Sequence, residues 1–200
     1  MTAPPDHLAQ AAVALADLTE DEGRRLAAVF EARTLGAREP FALPGGAGHD
    51  VLFVHRGLLR FYYPSDGGKE SNKAFVAEGE FAGALGAAAL GVPPLYGIDA
   101  LEASTVLVAS CGALADLMDR DRALDRFGRR LAETILARKE RRARSFMQQS
   151  AAERYADLVR SRPDLVQRVP QYEIASYLGI TDVHLSRVRR GESERSAPSI

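Results

Sequence analysis

Three arginines near the end of the chain have the type and spacing for contact with a nucleic acid. Arg187, Arg189 and Arg190 close the run QYEIASYLGITDVHLSRVRR, residues 171–190. A guanidinium can fork onto the O6 and N7 of a guanine or grip a phosphate. Upstream of them, Ile174, Leu178, Leu185 and Val188 have the spacing of an apolar seam between two short helices, and Ala175 is small where those helices would cross. Gly179 follows Leu178, where a residue in the left-handed region ends a helix. Ile180 plugs the turn and Thr181 can cap a second helix. Two short helices joined by a tight turn form the DNA-reading arrangement. The second helix is predicted to present Asp182, Val183, Ser186, Arg187 and Arg190 outward. Arg187 is assigned to a base edge, and Arg189 and Arg190 to phosphates. Gln171 and Thr181, at the two helix starts, complete the expected DNA contacts. The alternative is a helical hairpin that only packs.

Other chemistry is sparse. The histidines are His7, His49, His55 and His184. His49 and His55 flank a strand-like run, so no clustered metal-ligand set is visible, and His55 reads as an exposed turn residue. No Ser/His/Asp set, Walker loop or dinucleotide-binding glycine loop occurs. Cys111 is the only cysteine, which leaves no intramolecular disulfide, CxxC zinc site or cysteine-held cluster within one chain. The expectation is a protein that is not an enzyme, with no metal and no cofactor.

Elements must position the arginines. The first sixteen or so residues are Ala- and Pro-rich and read as poorly ordered at the tip. Thr19 and Glu22 then form a capping box, opening a helix with Leu26, Ala27, Val29 and Phe30 on its apolar face. From about Arg33 to Ser110, Gly and Pro punctuate short apolar runs, which predicts an antiparallel barrel or sandwich. Val51–Val54 and Leu58–Tyr63 flank His55-Arg56-Gly57, read as a tight hairpin with Gly57 at positive φ. Residues 64–68 are a second turn. Tyr96–Leu101 and Thr105–Ala109 would be the last strands. Asp121 to Gln149 has no Pro and, apart from Gly128, no Gly, so a helix of roughly 40 Å is predicted. Leu124, Phe127, Leu131 and Ile135 form a narrow stripe along it. A dimer seam with a second copy is the expected cover for that stripe, the alternative being packing against the chain's own barrel. Ser150 and Glu153 make a second capping box, and Pro163 ends the helix it opens.

Composition agrees with this layout. Apolar residues are 46% of the 200 and charged ones 26%, enough for a core in a globular chain. No apolar run approaches the roughly eighteen residues of a membrane span. The opening MTAPPDHLAQ lacks a basic region before an apolar stretch, so no secretory leader is expected and the location is read as cytoplasmic. The net charge of −1 conceals an asymmetry. Met1–Ala137 carries 13 Lys and Arg against 19 Asp and Glu, whereas Arg138–Arg190 carries 12 against 6. A basic rear suits a polyanion, or simply a solvated helix face.

From about residue 20 to 190 the chain resembles the Crp/Fnr family of bacterial regulators. RYADLVRSRPDLVQRVPQYEIASYLGITDVHLSRVRR is similar to the family's C-terminal signature, and EGEFAGALGAAALGVPPLYGIDALEAS to its cyclic-nucleotide cassette. The resemblance implies an α+β chain: an N-terminal antiparallel β-roll (a cupin-like jelly roll) over residues 18–119, a long dimerisation helix over 120–149, and an all-α helix-turn-helix domain over 150–200. It implies a homodimer on a palindromic site, with double-stranded DNA, a second copy and RNA polymerase as partners, and no membrane. Cyclic-nucleotide binders of the family carry Gly-Glu-Leu and, further on, Arg-Ser. Here those positions are Gly83-Ala84-Leu85 and Pro94-Leu95, and Lys139 and Glu140 fall near the purine-contacting pair. A buried phosphate without its guanidinium is an uncompensated charge, so cyclic AMP binding is not expected. The cassette lining, Leu85, Ala87, Ala88, Ala89, Leu90 and Val92, is apolar; a pocket filled by side chains is favoured over one holding an apolar effector. The family's wing after the recognition helix is not expected from GESERSAPSI. The rival reading is a degenerate regulator whose roll binds a protein or small apolar ligand without reading DNA.

Overall fold

The computed structural model describes residues 2–46, 48–65 and 67–191. Its strands are β1 (Glu31–Leu35), β2 (Pro40–Ala42), β3 (Asp50–Arg56), β4 (Leu59–Pro64), β5 (Glu70–Val76), β6 (Phe81–Gly83), β7 (Gly97–Ala100) and β8 (Ser104–Ser110). Its helices are α1 (Pro4–Ala16), α2 (Glu20–Ala27), α3 (Leu85–Leu90), α4 (Cys111–Met118), α5 (Arg122–Gln148), α6 (Ala151–Ser161), α7 (Pro163–Arg168), α8 (Gln171–Leu178) and α9 (Asp182–Arg189). Residues 192–200, the stretch from which no wing is expected, lie outside the described residues.

The strands form two antiparallel sheets, ordered β1-β8-β3-β6 and β2-β7-β4-β5. This is the β-roll expected from the sequence, with the long helix and the C-terminal helices following it. The two sheets share an inner core of Leu52, Val54, Leu59, Phe61, Val76, Ile98 and Val106. Both outer faces are covered too. Val51, Phe53 and Leu107 meet α1, α2, α4 and α5, and Leu58, Phe75 and Ala77 meet α6 to α9. Burial on both faces explains the unbroken apolar run Val51–Val54, where a half-exposed strand would alternate with polar residues.

One expected hairpin is absent. Gly57 does sit at φ 101°, but β3 pairs with β6 and β8 and β4 pairs with β5 and β7. The turn therefore carries the chain from one sheet to the other. A Cβ at Gly57 would lie 2.1 Å from Ser104 Oγ, and that hydroxyl instead accepts the Leu58 N–H at 3.2 Å. His55 is not an exposed turn residue. It lies on β3 with its Nδ1 3.1 Å from Nδ1 of His7 on α1, and burial, then the neighbouring His7 and Arg56, lowers its pKa.

The N-terminal stretch is helix α1, which begins with Pro4 and Pro5 where a missing N–H costs nothing and ends at Asp17 in the left-handed region, φ 53°. Leu8, Ala9, Ala12 and Ala16 are buried against α5 and the first sheet. This removes the premise for the predicted dimer seam. Leu124 and Phe127 are 0% exposed and Leu131 is 2% exposed within one chain, with Ile135 packed beside them. The cover comes from the Ala- and Pro-rich N-terminal stretch, whose sequence carries no mark that it folds back onto α5. Arg126 secures the cover, donating to the carbonyls of Ala16 at 2.9 Å and Asp17 at 3.0 Å. These would otherwise be open acceptors at a helix end. The exposed large apolar residues of α5 are instead Leu136, Phe146 and Met147, and Ala132 and Ala143 lie on the same side as Leu136 and Met147.

The termini of α5 match expectation: the Asp121 side chain accepts from Ala123 N and the helix stops at Gln149. Both capping boxes are formed, Thr19 with Glu22 and Ser150 with Glu153. Among the described residues no helix is long and apolar enough to cross a membrane, and no group of three or more His, Cys, Asp or Glu could hold a metal ion. Cys111 opens α4 half-buried, and burial, followed by the nearby Asp50, raises its thiol pKa. Because Phe127 is enclosed within one chain and stacks edge-on to Phe81 at 5.3 Å, Phe127→Ala should destabilise by about 3–5 kcal/mol. Urea unfolding should give the same loss at low and high protein concentration, whereas a residue buried at a subunit seam would give a concentration-dependent one.

Candidate nucleic-acid interface

The C-terminal helices build a surface on a rigid base. Helix α8 ends at Gly179, φ 70°, whose N–H bonds back to the carbonyls of Ala175 and Ser176. The Thr181 hydroxyl accepts from His184 N at 3.2 Å, opening α9. Most of the predicted seam is formed: Ile174, Ala175, Leu178 and Leu185 are at most 3% exposed, whereas Val188 is only half-buried and stands outside that core. Asp182, Val183, Arg187, Arg189 and Arg190 are exposed and Ser186 is half-exposed, with Thr181 and Gln171 exposed at the two helix starts. The expected contact residues of α9 thus occupy one helix and open to solvent, while Gln171 stands apart on α8. Asp182 lies in the first turn, where the helix dipole favours a carboxylate.

Much of the basic excess of the rear half is used internally. Arg138 and Arg162 pair with Glu80, Arg160 with Asp157, and Arg168 with Glu78 and Glu102. Arg142 donates to the carbonyls of Asn72 and Tyr177, both at 2.9 Å. Arg154 donates to those of Leu178 and Gln149. Among the described residues Arg141, Arg144, Arg187 and Arg189 have no acidic partner. The charge count alone overstated the basic face.

The sequence reading missed what holds this surface. Glu173 on α8 is 2% exposed. Its carboxylate accepts from Arg60 at 3.0 Å, Arg38 at 3.0 Å and Asn72 Nδ2 at 2.7 Å. Burial opposes its ionisation, but these donors outweigh burial and hold the pKa below the ordinary carboxylate value. Arg60 also forks onto Asp99, at 3.0 and 2.5 Å. The turn is braced as well: a Cβ at Gly179 would lie 2.8 Å from Phe146 Cε1 of α5, and Arg142 and Arg154 lie 4.7 and 4.9 Å from that ring's centroid. The one available signal was Arg60, a charge between Leu59 and Phe61 in a strand; its partner on α8 had no local mark.

The expected effector cassette divides. Ala84 and Pro94 line a cavity of about 30 Å³ with Phe41, Leu52, Tyr96 and Ile98. Leu85 packs toward α1 and α5, Leu95 is 72% exposed, and a Cβ at Gly83 would meet Asp50 O at 2.9 Å. The space suits a water or two and not a ligand of nucleotide size. Lys73 lies beside it, with Nζ 3.4 Å from the Tyr96 ring centroid. Burial, and then Lys139, push its pKa down to about 8. The apolar lining expected from the sequence, Leu85, Ala87, Ala88, Ala89, Leu90 and Val92, does not border this cavity, and Leu90 and Val92 are exposed.

No protein-family model matches the chain, and no curated protein does. Solved structures do. FixK2 of Bradyrhizobium japonicum superposes with a TM-score of 0.67 at 17% identity, over 84% of this chain and 90% of that one. A CooA mutant from Carboxydothermus hydrogenoformans gives 0.64 at 19%, over 82% and 76%. CLP of Xanthomonas campestris, a c-di-GMP-responsive global regulator, gives 0.63 at 20%, over 84% and 88%. These neighbours are regulators of the Crp/Fnr type with a cyclic-nucleotide-binding-like fold, and this chain has that fold.

Two outcomes follow from the site. Calorimetric titration with cyclic AMP or cyclic GMP should show no binding; a dissociation constant in the low micromolar range or tighter would overturn this. The second concerns Glu78. Burial opposes its ionisation, but the Arg168 fork, both arms at 2.9 Å, and the Gly57 N–H hold its pKa at about 2, against an ordinary 4.5. A depressed carboxylate contributes stability that is present above its unfolded pKa and lost as pH falls through the folded one. The urea midpoint should therefore drop between about pH 4.5 and about 2, and Glu78→Gln should flatten that part of the profile.

Proposed function

We propose that the protein is a DNA-binding transcription regulator of the Crp/Fnr type, working as a homodimer in the cytoplasm without a cyclic nucleotide. The observation that carries the reading is the open face of α9: Val183, Arg187 and Arg190 are exposed on a helix whose other side, at Leu185, is sealed into a core. Arg187 would read a base edge, and Arg189 and Arg190 would hold phosphates. Fold neighbours that are gene regulators support this reading, as does the lack of space for a large ligand in the roll. The small cavity also weighs against one form of the rival reading, a roll that binds a small apolar ligand without reading DNA; a roll that binds a protein instead is separated by the DNA-binding assay below. RNA polymerase would be the further partner of such a regulator.

The dimer seam is reassigned to the outer side of α5. Ala132, Leu136, Ala143 and Met147 recur there at steps of four and seven, and Leu136 and Met147 are 58% and 84% exposed. This is a coiled-coil-like spacing that a second copy of the same helix can match. Leu136→Asp with Met147→Asp should give a folded monomer by light scattering. A still-dimeric double variant would refute the reassigned seam. On a selected palindromic site Arg187→Ala should cost roughly 1–3 kcal/mol and relax preference at one base pair per half-site. Arg190→Ala should weaken selected and scrambled DNA alike and reduce the salt slope by about one per half-site. Fluorescence anisotropy at two salt concentrations reads all of these, and a wild-type protein without salt-dependent binding overturns the proposal.

A further inference from the structure

The outer face of the second sheet is where the roll meets the DNA-reading helices, and its chemistry is unusual for such a junction. Strand β4 alternates: Leu59 and Phe61 face the inner core, so Arg60 faces α8. Strand β5 would turn Asn72 inward with Ala74 if it alternated regularly. It does not, because its register against β4 shifts between Phe61 and Tyr62, pairing Tyr62 with Asn72 and Phe61 with Ala74. Lys73 is left as the extra residue, and it points to Phe61 and Tyr96 inside the roll. A bulge re-aims the side chains beside it, and this one delivers Asn72 to α8. There Asn72 Nδ2 donates both to the carboxylate of Glu173 and to its backbone carbonyl, at 2.7 and 2.8 Å. Its N–H donates to the Ser176 hydroxyl at 3.0 Å. Asn72 Oδ1 has no partner among the described residues although it is buried. An apolar side chain would leave no such orphan.

Buried charges at a junction are a poor source of stability compared with apolar packing, but they fix geometry. We infer that Arg60, Asn72 and Glu173 are positioning residues that hold α8, and through it the recognition helix α9, at one set angle to the roll, so that the DNA-reading surface is aimed with no effector bound. This rests on the DNA-binding function proposed above. The roll side of the contact is itself braced, since Asp99 on β7 grips Arg60 from behind. Seam and turn residues transmit the angle from α8 to α9, because Leu178 and Leu185 share one core with Phe75 of β5.

The test has an arm that needs DNA and an arm that does not. For the second, the full chain with Cys111→Ser, Leu90→Cys and Arg189→Cys is spin-labelled and diluted with unlabelled protein. The distance distribution between α3 and α9 should be narrow, and Glu173→Gln should broaden it about twofold or more. Arg38→Ala removes an outer arm of the contact from a side chain that is 47% exposed, so the fold is kept, and it should broaden the distribution to a lesser extent. For the first arm, about five base pairs, half a helical turn, are inserted between half-sites. Wild-type affinity should fall about tenfold or more, whereas the Glu173→Gln protein should lose less than about threefold and keep its affinity for an isolated half-site. An unfolding defect would instead lower the half-site affinity. A narrow distribution in both variants overturns the inference, and so does broadening with spacing discrimination intact. If the wild type binds no DNA while Glu173→Gln still broadens the distribution, the positioning contact stands and the proposed function falls.

Discussion

A guanidinium cannot be left buried without carboxylates around it, and Arg60 is 6% exposed. Its three anionic neighbours come from three places: Asp99 on β7, Glu70 at the start of β5 and Glu173 on α8. Only two of these belong to the roll's own sheet. Undocking α8 would cost the cluster its most buried acceptor and leave Glu173 with its own desolvation uncompensated. The C-terminal helices therefore have a required seat, and the apolar contacts of Leu58, Phe75 and Ala77 with Ile174 and Leu178 close around it. The second sheet is bounded on its outer side by the very unit that would meet DNA.

The first sheet is bounded differently, by the apolar faces of α1, α2, α4 and α5. Helix α5 belongs to both arrangements. Its first half is sealed under α1, and its second half sends Arg142 and Phe146 to the turn after α8. One helix thus ties together the two ends of the molecule, and its remaining side, at Leu136 and Met147, is open to solvent.

Features written in adjacent residues were legible. Gly179, Thr181, the capping boxes and the bounds of α5 each depend on local backbone chemistry, which a short segment carries by itself. The α9 face was legible for the same reason, since helical spacing decides which side Leu185 turns away from solvent. What distance decides was not. Gly57 has the same left-handed backbone whether the next strand returns beside β3 or leaves for the other sheet. The stripe at Leu124, Phe127 and Leu131 was correctly read as needing a cover, but α1 lies more than a hundred residues upstream and its alanines gave no amphipathic signal. Glu173 looked like any solvent-facing glutamate of a short helix, because its partners lie on β4, β5 and the loop before β2. The cassette positions departed from the family pattern in a readable way, yet Leu95 and Leu85 turning away from the cavity depended on the path of the chain after α3.

The sheet switch at Gly57 has a kinetic consequence. Strand β3 cannot pair with its successor, and its long partner is β8, with Val51 opposite Ala109 and Leu52 opposite Val108. Strand β1 waits for the same partner, Glu31 opposite Val108. During synthesis the first sheet consequently stays open until β8 has left the ribosome, and α1, which can pack on α2 at once, gains its remaining cover only when α5 follows. Pairings of such long reach are slow to close, and the unpaired edges are aggregation-prone in the interval. The open strand edges make the chain before β8 is in place, rather than the finished fold, the aggregation-prone form.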